Sequence, residues 1–377
     1  MNPIRRIQEF GQSVWYDNIH RSMIHSGELD TMIEEDGLRG ITSNPTIFEK
    51  AIGSGDAYDD GIRKRLRENP ELSARELFFQ LAIEDIQAAA DRFQRVYEHT
   101  RAADGYVSLE VSPDLAYDTD ATITEARQLW QRVDRPNLMI KVPATKEGLP
   151  AITTLISDGI NVNVTLLFAV PRYEAVVEAY LAGLTKRQKQ GHPLDRIASV
   201  ASFFVSRVDT ALDQRLEQIR DPEQAATAQS LRGTLAIANA KVAYKSYLRL
   251  YNDPRFAELR AAGARPQRLL WASTGTKNPA YSDVLYLENL IGENTVNTVP
   301  PATYQAFKDH GTVRASLHEN LDQAEEQLKT LPRLGIDLTE VTDQLEREGV
   351  AAFQQSFEHL VAVIEEKMQQ LRSTPVA

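Results

Sequence analysis

A lysine inside an apolar, β-prone run is the most reactive arrangement in this sequence. Lys141 lies in Leu138-Met139-Ile140-Lys141-Val142, where a buried strand would carry its ammonium into the protein interior. An ordinary lysine, with a pKa of ~10.4, is only about 0.04% neutral at pH 7. Burial among apolar groups, or a nearby cation, lowers that value and frees the lone pair to attack a carbonyl. The competing expectation for Lys141 is a structural ion pair with Asp17 or Glu110. Those two carboxylates are also what amine chemistry needs. Forming an imine, cleaving a carbon–carbon bond beside it and hydrolysing it each require a placed proton-transfer group. Two acids in different surroundings can divide those roles. For either acid alone, strand-end capping is the plainer expectation, but three ionisable groups in one apolar interior are costly without a function. Lys146, in Ala144-Thr145-Lys146-Glu147-Gly148, reads as solvated.

Two further segments suit an anion. Arg207 closes Ser202-Phe203-Phe204-Val205-Ser206-Arg207, and its planar fork matches phosphate bidentately; a surface helix cation is the alternative. Ser273-Thr274-Gly275-Thr276-Lys277-Asn278 offers backbone N–H groups, hydroxyls and a cation. It lacks the first Gly, the Gly directly before Lys277 and the following Ser/Thr of a P-loop. The seven histidines (His20, His25, His99, His192, His310, His318 and His359) show no paired ligand spacing, which argues against a zinc site or a histidine-based triad. Gly53-Ser54-Gly55 does not extend to a dinucleotide fingerprint, because Tyr58 stands at the last position. The chemistry is therefore expected to come from side chains, with no cofactor and no metal.

The elements that must position these groups alternate between short β-prone runs and longer helical stretches. Candidate strands are Ser13–Asp17, Leu38–Thr42, Tyr106–Val111, Leu138–Val142, Ile160–Thr165, Ile197–Phe204, Arg268–Thr274 and Thr295–Val299, bounded by Gly, Pro, Asn or Asp. Capping boxes are expected at Ser73/Glu76, Thr122/Glu125 and Ser316/Glu319. Ala225–Asn252 reads as one helical stretch, and a last helix runs from Asp337 to about Leu371. Eight strands alternating with helices predict a (β/α)₈ barrel forming one domain over 1–377. Helical insertions would fall at about 54–105 and 208–265, and a helical extension at about 302–377. An open doubly wound sheet is the alternative. In a barrel, strand carboxyl ends face the active-site mouth. Those ends hold Asp17, Asn44, Glu110, Lys141, Asn163, Thr165, Ser202 and Ser273.

Composition narrows the classes. The 377 residues include 53 acidic and 42 basic side chains, a formal net charge of −11. That balance argues against nucleic-acid or anionic-membrane partners, so an anionic substrate must be held by a few local cations. No cysteine occurs, which excludes disulfides and thiolate chemistry. Met1–Asn18 lacks a signal-peptide core, and no apolar run approaches the roughly 20 residues of a membrane span. A cytoplasmic protein is expected, as monomer or homodimer.

At these same residues the chain resembles the transaldolase family, in its longer bacterial branch. Gly40-Ile41-Thr42-Ser43-Asn44-Pro45-Thr46-Ile47-Phe48 is similar to the family's first signature. Leu138–Leu149 is similar to its second, which contains the Schiff-base lysine. Asn161–Phe168 and Ser202–Arg207 match further segments in order, and the similarity spans about Asp17 to Pro300. The resemblance implies that Lys141 forms an imine with a ketose donor and that Asp17 is acid/base in carbon–carbon cleavage. Glu110 would relay protons through a water positioned by Thr165. Asn44 and Asn163 would hold substrate hydroxyls, Ser202 would orient the substrate, Phe204 would keep the site dry and Arg207 would bind phosphate. Many members carry a second Arg after the seventh strand; here that role passes to Ser273 or Lys277. The implied reaction moves a dihydroxyacetone unit from sedoheptulose 7-phosphate or fructose 6-phosphate to glyceraldehyde 3-phosphate or erythrose 4-phosphate, in the pentose phosphate pathway. The rivals are a fructose-6-phosphate aldolase-like enzyme, a group with Gln and Tyr where this chain has Glu110 and Phe204, and a non-catalytic phosphosugar-binding barrel.

Overall fold

The computed structural model describes residues 2–373. Eight strands are present: β1 (Gln12–Tyr16), β2 (Gly40–Ile41), β3 (Tyr106–Glu110), β4 (Leu138–Pro143), β5 (Val162–Leu167), β6 (Ser199–Phe204), β7 (Arg268–Ala272) and β8 (Thr295–Val299). They pair in sequence order, all parallel, and β1 closes on β8 from Gln12↔Thr295 to Tyr16↔Val299. This is the expected (β/α)₈ barrel and not an open sheet. Because helices cover the outer face and side chains fill the interior, nearly every strand residue is buried.

Every strand falls within two residues of its expected bounds, and in two of them the departure has a visible physical cause. β2 keeps only Gly40–Ile41 because the side chains that follow turn to other tasks. The Thr42 hydroxyl bonds Asp17, and the Ser43 hydroxyl bonds the Ser108 carbonyl. β5 begins and ends two residues later than expected and carries a register shift between Val164 and Leu167, with Leu166 at φ +61°. A bulge of this kind re-aims side chains at a barrel rim.

The helix starts are corrected in three places. Ser73 accepts from the Glu76 N–H at 3.2 Å, but the Glu76 carboxylate bonds Gln80 and Arg132, so half of that box forms. The next helix begins at Thr119, capped by Asp118 through the Ala121 N–H. Glu125 instead receives the Ser112 N–H at 2.6 Å. Ser316 is buried, accepts from the Ile291 N–H and opens only the 3₁₀ turn Ser316–His318. The stretch Ala225–Asn252 is two helices, Pro222–Leu231 and Leu235–Tyr251, parted at Gly233 with φ +70°.

Further helices fill the long connections. Asp59–Glu68 and Ala74–His99 lie between β2 and β3, while Ser206–Leu216 and Pro254–Ala261 join the broken pair between β6 and β7. After β8, the helix Leu338–Ser373 crosses the carboxyl-end mouth. It is tied down by Arg172–Glu346 (3.2 Å), Thr46–Ser356 (2.8 Å) and Lys367–Asp59 (3.0 Å). Phe357 packs against Phe78 and Phe79. No helix of the described residues is long and apolar enough to cross a membrane.

The short β2 makes the barrel sensitive at Gly40. A Cβ there would stand 2.7 Å from the Trp15 ring and 2.8 Å from the Tyr106 carbonyl. Gly40→Ala is expected to cost about 2–3 kcal/mol by overpacking, measured as a lowered denaturation midpoint; an unchanged midpoint would contradict this packing.

Candidate active site

At the carboxyl ends of the strands lies a cavity of about 270 Å³. Nine of the site residues expected from sequence line it: Asp17, Asn44, Lys141, Thr165, Ser202, Phe204, Arg207, Ser273 and Lys277.

Lys141 is placed there by β4, whose alternation turns it inward with its residue only 5% exposed. Nζ donates to Glu110 Oε2 at 3.0 Å and to the Ser43 carbonyl at 2.9 Å. The ion pair weighed from sequence is therefore present, with Glu110 as the partner, and it coexists with access to the cavity. Burial raises Glu110 above the ordinary carboxylate range, against the lowering effect of Lys141, and Asp17 raises it further. A carboxylate held up in this way is a ready acceptor for the ammonium proton. Transfer of that proton leaves a neutral acid beside a neutral amine, which is the nucleophilic form.

Asp17 follows β1. Its Oδ1 accepts from the Thr42 hydroxyl at 2.7 Å, and Thr42 is in turn bonded to the Thr298 hydroxyl at 2.6 Å. Burial raises its pKa, opposed by the Thr42 hydrogen bond and the charges of Lys141 and Lys277. The two acids thus differ in partners: one is paired with the amine, the other is held by a hydroxyl chain.

Glu110 and Asn163 stand behind the cavity wall. Glu110 borders a small apolar recess with Phe48, Phe78 and Phe357. Asn163 is fully buried; its Nδ2 donates to Ser108 Oγ at 3.0 Å, and its Oδ1 accepts from Ser202 Oγ at 2.6 Å. Its polar groups are therefore engaged inside the barrel. Thr165, also fully buried, has an Oγ1 with no hydrogen-bond partner among the described residues. A hydroxyl so placed is a handle for a water or a substrate. Asn44 caps the helix Pro45–Gly53, accepting from the Ile47 N–H at 3.0 Å.

Arg207 opens the helix Ser206–Leu216 and is half-buried. Its guanidinium lies 5.5 Å from the Phe204 ring and 6.0 Å from that of Phe353. No carboxylate forms an ion pair with it among the described residues, and burial pushes its pKa down against the pull of Glu348. An unpaired, desolvated guanidinium facing a cavity is a receptor for an anion.

Sequence reasoning missed Thr42, Thr298, Lys50 and Phe353, all on the wall. Thr42 sat within the quoted Gly40–Phe48 segment without a role. Phe353 comes from the C-terminal helix and stands 5.8 Å from Lys141 Nζ. Periodicity marks it as apolar but not as part of the mouth. Four cations and one carboxylate line this cavity, a local reversal of the net charge of −11. No group of three His, Asp or Glu side chains able to hold a metal ion occurs among the described residues.

A model of the family described as transaldolase/fructose-6-phosphate aldolase matches residues 14–364. A transaldolase of Trichodesmium erythraeum is 46% identical over 381 aligned positions, covering 100% of this chain and 99% of that one. A transaldolase of Thiobacillus denitrificans is 48% identical over 364, covering 97% of this chain and 100% of its own. Transaldolase 1 of Streptomyces coelicolor is 47% identical over 362, covering 96% and 93%. With a closed eight-stranded barrel, a buried lysine at its mouth and full-length similarity of this degree, the chain belongs to the transaldolase/fructose-6-phosphate aldolase family.

Proposed function

We propose that this chain is a transaldolase, a transferase that moves a dihydroxyacetone unit between phosphorylated sugars through an imine on Lys141. The observation that carries this reading is the buried Lys141 amine facing a sugar-sized cavity, with Glu110 at 3.0 Å and Asp17 on the same wall.

The chemistry follows from those groups. Glu110 takes the ammonium proton, and the freed amine adds to the ketose carbonyl. The proton returns as the carbinolamine loses water, with Thr165 holding the water that carries it. The protonated imine then withdraws electrons as the bond between C3 and C4 breaks. Asp17 accepts the proton of the C4 hydroxyl, and the aldose leaves. The remaining enamine attacks the acceptor aldehyde, Asp17 returns its proton to the new hydroxyl, and hydrolysis of the imine releases the new ketose.

Arg207, with Lys277 and Ser273, would hold the phosphate. Asn44 would bind hydroxyls of the three-carbon fragment and Ser202 would orient it, with Asn163 beneath as its support. Transfer requires that water not protonate the enamine before the acceptor arrives, and the rings of Phe204 and Phe353 supply an apolar wall for that purpose. The reaction draws on no cofactor. Its substrates on this reading are those of the pentose phosphate pathway, sedoheptulose 7-phosphate or fructose 6-phosphate with glyceraldehyde 3-phosphate or erythrose 4-phosphate, and the proposed setting is the cytoplasm.

Borohydride reduction in the presence of fructose 6-phosphate, followed by peptide mapping, tests the covalent step. A reduced adduct on the peptide containing Lys141 is expected. An unmodified Lys141 under saturating donor would reject the reading in favour of a barrel that binds sugar phosphates without reacting.

A further inference from the structure

Of the buried carboxylates outside the chemistry described so far, Asp36, Asp85 and Asp104 are each paired with a cation, whereas two others are not. Asp209 and Asp213 sit one turn apart on the helix Ser206–Leu216, at 1% and 7% exposure. Neither forms an ion pair among the described residues. All four of their oxygens accept hydrogen bonds instead. Asp209 receives the Ala236 N–H at 2.7 Å and the Tyr286 hydroxyl at 3.0 Å. Asp213 receives the Gly233 N–H at 3.0 Å and the Tyr281 hydroxyl at 2.6 Å. Like charges this close, taken out of water without a cation, oppose folding and raise Asp209 to about 7, burial being the main cause. Packing alone does not require such a pair.

Their partners explain what they join. Tyr281 belongs to the irregular connection 273–284 that leaves β7, and Tyr286 to the short helix Leu285–Asn289 that follows it. The near end of that connection is fixed to the same helix by the Ser206 N–H bond to the Ser273 carbonyl at 3.0 Å and by the Ser206–Ser273 hydroxyl contact at 2.9 Å. The Tyr281 ring rests on Gly233, where a Cβ would stand 2.7 Å away. Between the two anchors lie Gly275 and Lys277, both on the cavity wall. The Arg207 helix therefore grips the Lys277 loop at both ends.

We infer that Asp209 and Asp213 are positioning residues: through Tyr286 and Tyr281 they hold the loop after β7 so that Lys277 and Arg207 converge on one substrate phosphate. This inference rests on the phosphate role assigned above to those two cations.

The test compares fructose 6-phosphate with unphosphorylated fructose as donor, in the intact enzyme. Tyr281→Phe keeps the ring on Gly233 and removes only the hydroxyl. KM for fructose 6-phosphate should rise roughly tenfold, the scale of one lost hydrogen bond to a charged group, with kcat nearly unchanged and kcat/KM for fructose unaffected. Tyr286→Phe should act in the same direction, which keeps the inference testable if one variant folds poorly. Lys277→Ala should lose far more with fructose 6-phosphate than with fructose, whose turnover changes only through the effect of Lys277 on Asp17, and Tyr281→Phe added to Lys277→Ala should not widen that difference further. Equal losses for both donors, or full additivity, would mean that the tyrosine only stabilises the fold and would overturn the inference. Selective loss in Lys277→Ala but none in either tyrosine variant would overturn the clamp alone. An unchanged preference for phosphate in Lys277→Ala would remove the phosphate reading of that lysine, and the clamp with it.

Discussion

Lys141→Ala is expected to abolish transfer, with kcat lowered on the order of 10⁵-fold or more. Without an imine, cleavage would leave a localised carbanion, and neither Asp17 nor Arg207 can delocalise that charge. The same substitution also has a structural consequence. Glu110 is paired with Lys141 at 3.0 Å and is 7% exposed, so removing the amine leaves a buried carboxylate without its cation. That loss costs about 3–5 kcal/mol while Glu110 stays ionised. Glu110 is already raised by burial and loses the contact that opposes the rise. A carboxyl whose folded pKa exceeds its unfolded value binds more protons when folded, so stability falls as pH rises through that interval. The variant should therefore melt closer to wild type in mild acid than at pH 8. Adding Glu110→Gln should remove that pH dependence without restoring activity. Turnover or borohydride trapping that survived in Lys141→Ala would assign the nucleophile to another amine.

Asp17→Asn is expected to lower kcat by about 10²–10⁴-fold, the range for loss of a placed proton-transfer group. Its signature is the step at which the reaction stops. Lys141 and Glu110 remain intact, so fructose 6-phosphate should still form an imine that borohydride reduces, and the trapped fragment should keep all six carbons. The wild-type kcat should fall with acid as Asp17 takes up a proton. Because burial raises this group, that limb should lie above the ordinary carboxylate range and should disappear in the variant. Loss of trapping together with turnover would show instead that Asp17 acts before the bond is broken.

Much of the scaffold was legible because a parallel barrel writes itself as apolar runs closed by Gly, Pro, Asn and Asp. Thr295–Val299 was expected residue for residue, and the last helix starts one residue later and ends about two residues later than expected. Errors arose where a tertiary contact claimed a residue whose local pattern suggested otherwise. Ser316 is drawn inward to the Ile291 N–H, Glu125 reaches back to Ser112, and Gly233 breaks a helix because the Tyr281 ring needs its missing side chain. The strand-end rule brought Lys141 and Asp17 to the cavity wall and Glu110 against Lys141. It did not tell wall from support: Asn163 lies in the same strand as Thr165, yet it stands behind the wall with its amide bonded to Ser108 and Ser202. Phe353 was illegible for a different reason. Its apolar stripe says that the helix packs on something, and only the folded chain says that the something is the mouth.

The helix that brings Phe353 begins at Leu338, well after the last strand ends at Val299. A ribosome adding roughly 5–20 residues per second exposes amino-terminal segments first, so every strand is available seconds before this roof emerges. The eight strands can therefore pair before Lys141 gains its cover from Phe353. A protease cutting between the strands and this helix would leave the roof held through contacts such as Arg172–Glu346, Thr46–Ser356 and Lys367–Asp59 and no longer through the chain itself.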